Sequence, residues 1–504
     1  MALASTFSAT LDGVSAHLVT VEANIGPGLP GVHMVGLGDA AVKESRDRIR
    51  TAVANSSLSW PRTKVMVSLS PANLPKAGSH FDLPIALAVI AGMDPRAQRR
   101  LEKTLVLGEL GLDGRLRRVE GILPMILAAP ATVERVIVPK ANAREAALLG
   151  DPRVLAADNL LQVWNWLLGI VELPETGRAT LVDAPAPAPD FRDIAGQHAE
   201  RHALEVAAAG GHHVLMIGPP GTGKSMLAER LPSILPPLGP EEIIETTAIH
   251  SLGGGPHRGV VARRPFVAPH PSLSQAALIG GGSGMPRPGA VSHAHNGVLF
   301  LDEASEIPAA VLDSLRIPLE TCEVRLTRAR REVVYPADFQ LVLAANTCRC
   351  GAANPTECTC RAQERATHLR NVSGPLRDRI DITLRTTSQD QVVSPAGAEP
   401  SAAIAARVLE ARERAAHRWA NAKAATLNAK VDASLLRRDF LPTEDAMAFV
   451  GAYVSDGTLS QRGIDRVLKL SWTLADLDGA ARPNLDHVAR ALDLRATATA
   501  GVAA

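Results

Sequence analysis

Apolar runs of strand length recur along this chain and carry its first structural message. Val214-Leu215-Met216-Ile217, Gly297-Val298-Leu299-Phe300-Leu301 and Leu341-Val342-Leu343-Ala344-Ala345 read as buried strands. Nearer the start, Lys64-Val65-Met66-Val67-Ser68-Leu69 and Val136-Ile137-Val138 read as strands, and Asp82 to Ala91 as a buried helix, an α+β pattern. Glu323 to Tyr335 alternates on either side of a basic tip, Arg328-Ala329-Arg330-Arg331, and predicts a β-hairpin. Toward the end the pattern turns helical, best over Arg407 to Ala420 and Gly463 to Asp478.

Two soft stretches divide the 504 residues. Asp183 to Pro189 alternates proline with small residues and predicts an extended spacer over 181–189. Thr386 to Ser401 mixes serine, glutamine, proline and glycine. The expected units are 1–180, α+β; 190–388, α/β; and 389–504, mostly helical and able to form a lid. A chain this long is expected to hold two to four domains.

Composition changes this picture little. A hydrophobic content of 46% with 21% charged residues is that of a globular protein, and a net charge of +1 gives no strong field for nucleic acid, so any such contact needs a local basic patch. Met1 to Asp12 has no basic start before an apolar core, and no run of about eighteen apolar residues occurs anywhere. A cytoplasmic protein without a membrane partner is expected.

Candidate chemistry starts after the first central strand. Gly218-Pro219-Pro220-Gly221-Thr222-Gly223-Lys224-Ser225 meets the pattern G-x-x-x-x-G-K-[ST] at each fixed position, and Met226 opens a helix-forming stretch behind it. The glycines free backbone N–H groups to wrap phosphates, Lys224 neutralises terminal phosphate charge, and Ser225 offers a hydroxyl to magnesium. ATP and Mg2+ are the expected ligands. Downstream, the strand ending at Leu301 leads into Asp302 and Glu303. Asp302 would hold the metal and Glu303 polarise the attacking water. Asn346, at the tip of the last buried strand, could orient that water or touch the terminal phosphate.

Several segments besides the phosphate loop carry a resemblance: Asp190 to Gln197, Ala207 to His212, Arg264-Pro265-Phe266 with Pro269-His270, Pro286 to Gly289, and Gly374-Pro375-Leu376 with Asp378-Arg379-Ile380-Asp381. With them the chain resembles the magnesium-chelatase-like AAA+ ATPases of the ComM (YifB) group over nearly its whole length. The resemblance implies an AAA+ P-loop core with a helical C-terminal lid. It implies Asn346 as the sensor, Arg379 as an arginine finger acting on a neighbouring subunit, and Arg462 as the lid arginine, with Arg466 as the fallback. It sets Ile194 and Gln197 beside the adenine. Val267 and Pro271 stand where an arginine and a second histidine are common, and Arg377 where an apolar residue is usual.

Residues 1 to about 165 resemble the Lon-protease-type, ribosomal S5 domain 2-like fold, through Pro75 to Ser79, Leu107 to Leu110 with Asp113 to Arg115, and Val136 to Lys140. Proteolysis there needs a serine activated by a lysine. His80 stands at the expected serine place and Leu123 at the expected lysine place, so no peptidase chemistry is expected.

In related rings a hairpin before the sensor points into the central pore. Arg328, Arg330 and Arg331 are therefore candidates for gripping DNA phosphates, single-stranded or branched and without regard to sequence. Arg258, Arg263 and Arg264 form a second basic stretch, and an aromatic content of only 3% favours backbone tracking over base stacking. Four of the five cysteines fall in Cys348-x-Cys350 and Cys358-x-Cys360, enough for one structural zinc or else four reduced thiols on a surface loop. The leading reading is an ATP-driven DNA motor, a homo-oligomer expected to be a hexamer, for branch migration in recombination and transformation. The alternatives are a magnesium-chelatase-type subunit assisting metal insertion into a tetrapyrrole and a nucleotide-binding assembly protein without turnover.

Overall fold

A computed structural model of the chain describes residues 2–36, 40–76, 78–178, 189–253, 259–282, 286–328, 331–352, 357–361, 363–364, 368–386, 398–420 and 427–496. Nearly all of the expected spacer at 181–189 lies outside them.

The first half is built on a seven-stranded mixed sheet, ordered β3-β4-β2-β1-β5-β6-β7. Its strands are β1 (Ala2–Asp12), β2 (Ser15–Gly26), β3 (Gly31–Val35), β4 (Lys64–Ser70), β5 (Thr104–Val106), β6 (Arg135–Pro139) and β7 (Val154–Ala157). β1 and β2 pair antiparallel from Ala2↔Ile25 to Asp12↔Ser15 and reverse at Gly13, whose φ of +64° suits glycine. Helices α1 (Ala40–Asn55) and α2 (Asp82–Ala91) pack together over this sheet. Every residue of α2 is buried, as the unbroken apolar run after Asp82 requires. The one charge on it, Asp82, is gripped by Arg48 Nε and Nη2 at 2.6 and 2.9 Å. The expected Lon-type dyad positions hold structural residues: His80 Nε2 lies 2.8 Å from the Ala9 carbonyl, and Leu123 is fully buried in α3 (Ile122–Leu127).

The second half carries five parallel strands in the order β9-β10-β13-β8-β14: β8 (Val214–Ile217), β9 (Phe266–Val267), β10 (Gly297–Leu301), β13 (Phe339–Ala345) and β14 (Ile382–Arg385). β11 (Glu323–Arg328) and β12 (Arg331–Pro336) form the expected hairpin between β10 and β13. Alternate strand residues feed two cores, because successive side chains point to opposite faces. Val214, Met216, Phe300, Val342 and Ala344 pack with α4 (His198–Gly210) and the C-terminal helices, whereas Leu215, Leu299, Leu301, Leu341 and Leu343 pack on the other side. This double covering explains why these strands are apolar runs rather than alternations.

Residues 398–420 and 427–496 supply α7 (Ser401–Ala420), α8 (Glu444–Ser455), α9 (Gln461–Leu477) and α10 (Leu485–Ala496), which follow α5 (Lys224–Arg230) and α6 (Pro240–Ser251). Ile404, Val408, Val467, Leu470 and Leu474 of α7 and α9 lie in one core with the sheet. A polar network reinforces that contact at the amino ends of β8 and β14. Asp381 is fully buried, 2.8 Å from Arg466 of α9 and 3.1 Å from His212, whose other ring nitrogen meets Thr473 at 2.7 Å. Burial pushes the Asp381 carboxyl up, but Arg466 and His212 outweigh it and hold the group well below the usual carboxylate range.

The two halves touch through α6. Gly121 N donates to Ser251 O at 3.1 Å, and Ala248 lies in the same core as α3. The Gly13 turn abuts the middle of β12 in the hairpin: a Cβ on Gly13 would stand 2.7 Å from Val333 Cγ1.

Two histidines make folding sensitive to mild acid. His213 Nδ1 accepts from Leu341 N at 3.1 Å, and His295 Nδ1 accepts from Asp338 N at 3.0 Å, so each ring must be neutral at that nitrogen. Burial lowers both, His213 to about 4. A folded value below the unfolded value of about 6.5 means that stability is full above that pH and falls as pH drops toward about 4. The urea midpoint is therefore expected to be lower at pH 5 than at pH 7.5, with a smaller difference in His213→Gln. Equal midpoints at the two pH values in the parent chain would contradict this.

Candidate nucleotide site

The site forms where four parallel strands end. In an open parallel sheet, ligands bind outside the carboxyl ends of the strands at a point where the order reverses, and β8 sits there between β13 and β14. The loop Gly218–Gly223 leaves the end of β8, Asp302 and Glu303 leave β10, Asn346 leaves β13, and Thr386 leaves β14.

Local backbone chemistry makes the loop. Gly221 and Gly223 have φ of +78° and +79°, which glycine adopts without strain. Gly218 is needed for a different reason: a Cβ there would overlap both the hydroxyl and the carbonyl oxygen of Thr386. Thr386 also meets the Thr222 hydroxyl at 2.7 Å, so it clamps the loop from below. Behind the loop, Gln197 sits at φ +52° and its Nε2 donates to Thr222 O at 2.7 Å. Met226 is half-buried, with its Cε close to Gly223, and Ile194 is fully buried in the core with Phe191.

Charge converges on the same spot. Lys224 Nζ donates to Gly218 O at 2.8 Å, Pro219 O at 2.7 Å and Asn346 Oδ1 at 3.2 Å. Burial lowers its pKa, partly opposed by Asp302. Ser225 Oγ donates to Asp302 Oδ2 at 2.8 Å, which brings together the hydroxyl and carboxylate that can share a magnesium ion. Asp302 Oδ1 accepts from Glu303 N at 2.8 Å. Glu303 is exposed and held at φ +48°, an uncommon conformation for a non-glycine residue, and such strained positions cluster at functional sites. The residue is thus open to solvent directly after Asp302. The donor set fits ATP with magnesium: backbone and lysine donors for phosphate, hard oxygens for the metal.

The three candidate arginines lie elsewhere. Arg379 donates to Pro375 O at 2.7 Å and is paired with Glu320. Arg462, on the first turn of α9, is 70% exposed and 3.7 Å from Asp378. Arg466 is held in the Asp381 network, at the opposite end of the sheet from the phosphate loop. Arg264 braces α6 through Glu242 at 3.2 Å and the Asn296 carbonyl at 2.8 Å. Of the basic hairpin, the strands are described and pair down to Arg328↔Arg331, but Arg330 and the side chains of Arg328 and Arg331 fall outside the described residues, as does Arg258.

The four clustered cysteines do converge. Cys348, Cys350, Cys358 and Cys360 place their sulfurs within 4.8 Å of one another. Hydrogen bonds from the Ala352 backbone and from Cys348 bring the Cys350 thiol down to about 5. Thr386 and Glu320 are the partners that sequence reasoning missed. Position at the end of a parallel strand is the only signal that could have marked Thr386, and nothing marks Glu320.

Fold and site together define a P-loop nucleotide-binding protein with a parallel α/β core. The chain matches the profile for magnesium chelatase, subunit ChlI, over residues 190–393, that for subunit ChlI of Mg-chelatase over 21–142, and that for the ChlI C-terminal region over 398–495. It is 48% identical to an uncharacterized protein of Mycobacterium tuberculosis, with 99% of each chain covered. It is 40% identical to the uncharacterized protein YifB of Escherichia coli, covering 96% of this chain and 95% of that one, and 39% identical to competence protein ComM of Haemophilus influenzae, covering 98% of each. A shorter likeness, 34% over 152 residues, is to Lon protease 2 of Bacillus subtilis. The chain belongs to the ComM (YifB) family of magnesium-chelatase-like AAA+ ATPases.

The loop geometry makes a direct prediction. Gly218→Ala cannot be fitted without moving the loop off Thr386, which shifts the backbone N–H groups that would meet the phosphates. Titration with a fluorescent ATP analogue should show affinity reduced by at least about tenfold, the worth of roughly one phosphate hydrogen bond. An unchanged affinity would mean that the Gly218–Thr386 contact does not set the loop.

Proposed function

We propose that this protein is an ATP-hydrolysing ring motor, a hexamer, that moves DNA through its pore and drives branch migration in homologous recombination and natural transformation. The observation that carries the ATPase part is the meeting of Lys224, Ser225, Asp302 and Asn346 at the ends of three parallel strands, with Glu303 presented beside them. The full-length likeness to a competence protein supports the DNA part.

In this reading the residues divide the work. Backbone N–H groups of 219–225 and the Lys224 ammonium bind and orient the phosphates. Ser225 and Asp302 hold magnesium, which when bound neutralises developing charge on the phosphates. Glu303 takes the proton of the attacking water, and Asn346 orients that water. Arg379 acts on the neighbouring subunit's nucleotide, and Arg462 contacts the phosphates of its own chain from a helical lid. Gln197, with the backbone near Ile194, borders the adenine. Residues 1–180 form a Lon-type, S5 domain 2-like domain without peptidase chemistry, 181–189 a spacer, 190–388 the AAA+ core and 389–504 the lid. Hydrolysis at each junction shifts the lid and hairpin, so that Arg328, Arg330 and Arg331 grip and release backbone phosphates in turn. The place of work is the cytoplasm, and Cys348, Cys350, Cys358 and Cys360 hold a structural zinc.

A magnesium-chelatase subunit is the competing reading, favoured by the names of the three matching profiles. Branched DNA separates the two. With ATP, the protein should convert a labelled four-way junction into its products, whereas a chelatase component should leave it intact. Replacing Arg328, Arg330 and Arg331 together by glutamine should weaken DNA binding uniformly across sequences and reduce the salt slope by roughly 0.7 for each phosphate that is no longer neutralised. An intact junction, or an unchanged affinity and slope in the triple variant, would count against the motor.

A further inference from the structure

The four-cysteine cluster lies against the phosphate loop itself. Cys348 is two residues beyond Asn346, the side chain that meets the Lys224 ammonium at 3.2 Å. Between the two Cys-x-Cys pairs the chain turns at Gly351, φ +71°, and there it reaches Pro220 of the loop: a Cβ on Gly351 would stand 2.9 Å from Pro220 Cγ and 3.5 Å from Cδ. On its far side the same segment runs on to Asn371, whose Nδ2 donates to Ser305 O at 2.6 Å beside the Asp302-Glu303 turn. The described residues 348–352 therefore join the Asn346 end of the strand to the Pro220 side of the loop.

The sulfur arrangement selects the ligand. Cys348 and Cys350 are 3.2 Å apart, Cys350 and Cys358 3.5 Å, and Cys358 and Cys348 3.6 Å. Four thiolates at about 2.3 Å from one tetrahedral zinc lie roughly 3.8 Å from each other, close to this spacing. A disulfide needs about 2.05 Å, well inside every pair here. An iron–sulfur cluster puts several metal atoms between its thiolates and needs them farther apart. All four ligand places are protein sulfur, so a zinc here has no open coordination position and its role is structural.

We infer that this zinc centre is a brace for the phosphate loop: by tying Cys348 and Cys350 to Cys358 and Cys360, it holds Gly351 against Pro220 and keeps Asn346 in line with Lys224. Without the metal, four thiols on a polar loop have little to hold them together, and the loop loses the wall on which its Pro220 side rests. The consequence reaches nucleotide affinity, and that part of the inference rests on the ATPase reading above. The centre itself does not.

The test uses the full-length protein. Metal analysis should give about one zinc per chain, and exchange with cobalt should produce the visible bands of tetrahedral thiolate coordination. Cys350→Ser combined with Cys358→Ser should lose the metal and bind a fluorescent ATP analogue about tenfold more weakly. Should that variant fail to fold, wild-type protein stripped with a chelator gives the same comparison, and reloading with zinc should restore affinity. Gly351→Ala should keep its zinc yet show a similar loss, because its added methyl pushes that segment off Pro220. A protein that holds neither zinc nor cobalt overturns the centre, a result read without any nucleotide. Stripped protein, or Gly351→Ala, with unchanged nucleotide affinity overturns the brace.

Discussion

Parallel pairing of β8 between β13 and β14 is the constraint on which the rest depends. It aligns Val214 to Ile217 with Val342 to Ala345 on one side and Ile382 to Arg385 on the other. Because the three strands end level, the loop after Ile217, Asn346 and Thr386 are delivered to one place, and β10 adds Asp302 on the far side of β13. A slip of one residue would exchange the two faces of a strand, sending Met216 into the core that Leu215 fills and carrying Gly218 away from Thr386. Two filled cores therefore hold the register, and the register holds the site.

The opposite end of that sheet is fastened to the helices. Asp381 and His212 join β14 and β8 to Arg466 and Thr473 of α9, and Asn428 and Arg418 continue the network to Asp476. Two of these contacts, Arg466 with Asp381 and Arg418 with Asp476, are ion pairs whose carboxylates are buried, and removing one partner of such a pair typically costs about 3–5 kcal/mol. The helical region and the sheet are thus coupled at the end remote from nucleotide, and Arg462 lies four residues from Arg466 on the same helix. Any movement of the loop end against α9 would pivot on this network.

Much of the central fold was legible because it obeys simple periodicities. The apolar runs at 214–217, 297–301 and 341–345 became strands, Asp82–Ala91 a helix with the same bounds, and the alternation from Glu323 to Tyr335 a hairpin. The phosphate loop was legible because its chemistry is local. What escaped depended on partners distant in sequence or on weak signals. The β1 strand is written largely in Ala, Ser and Thr, whose small side chains give little contrast between faces; Thr6 and Ser8 are buried, and Thr6 is satisfied by the Thr104 carbonyl at 2.8 Å. Two- and three-residue strands such as Phe266–Val267 and Thr104–Val106 are too short to show a period. Thr386 sits 168 residues from Gly218, where no local pattern can connect them.

In the proposed reading the site takes one arginine from the neighbouring subunit. Arg379 is paired with Glu320 and the Pro375 carbonyl, and its described contacts do not include Lys224, Ser225 or Asp302. If the pocket is shared between adjacent subunits, a defect in Arg379 and a defect in Glu303 fall on different sides of the same junction. The most direct measurement is ATP hydrolysis by an equimolar mixture of Arg379→Ala and Glu303→Gln chains, each inactive alone and each shown to be folded and assembled. Activity that reappears on mixing is the predicted result, because some junctions then pair an intact Glu303 with an intact Arg379; a mixture as inactive as its components would contradict a shared pocket.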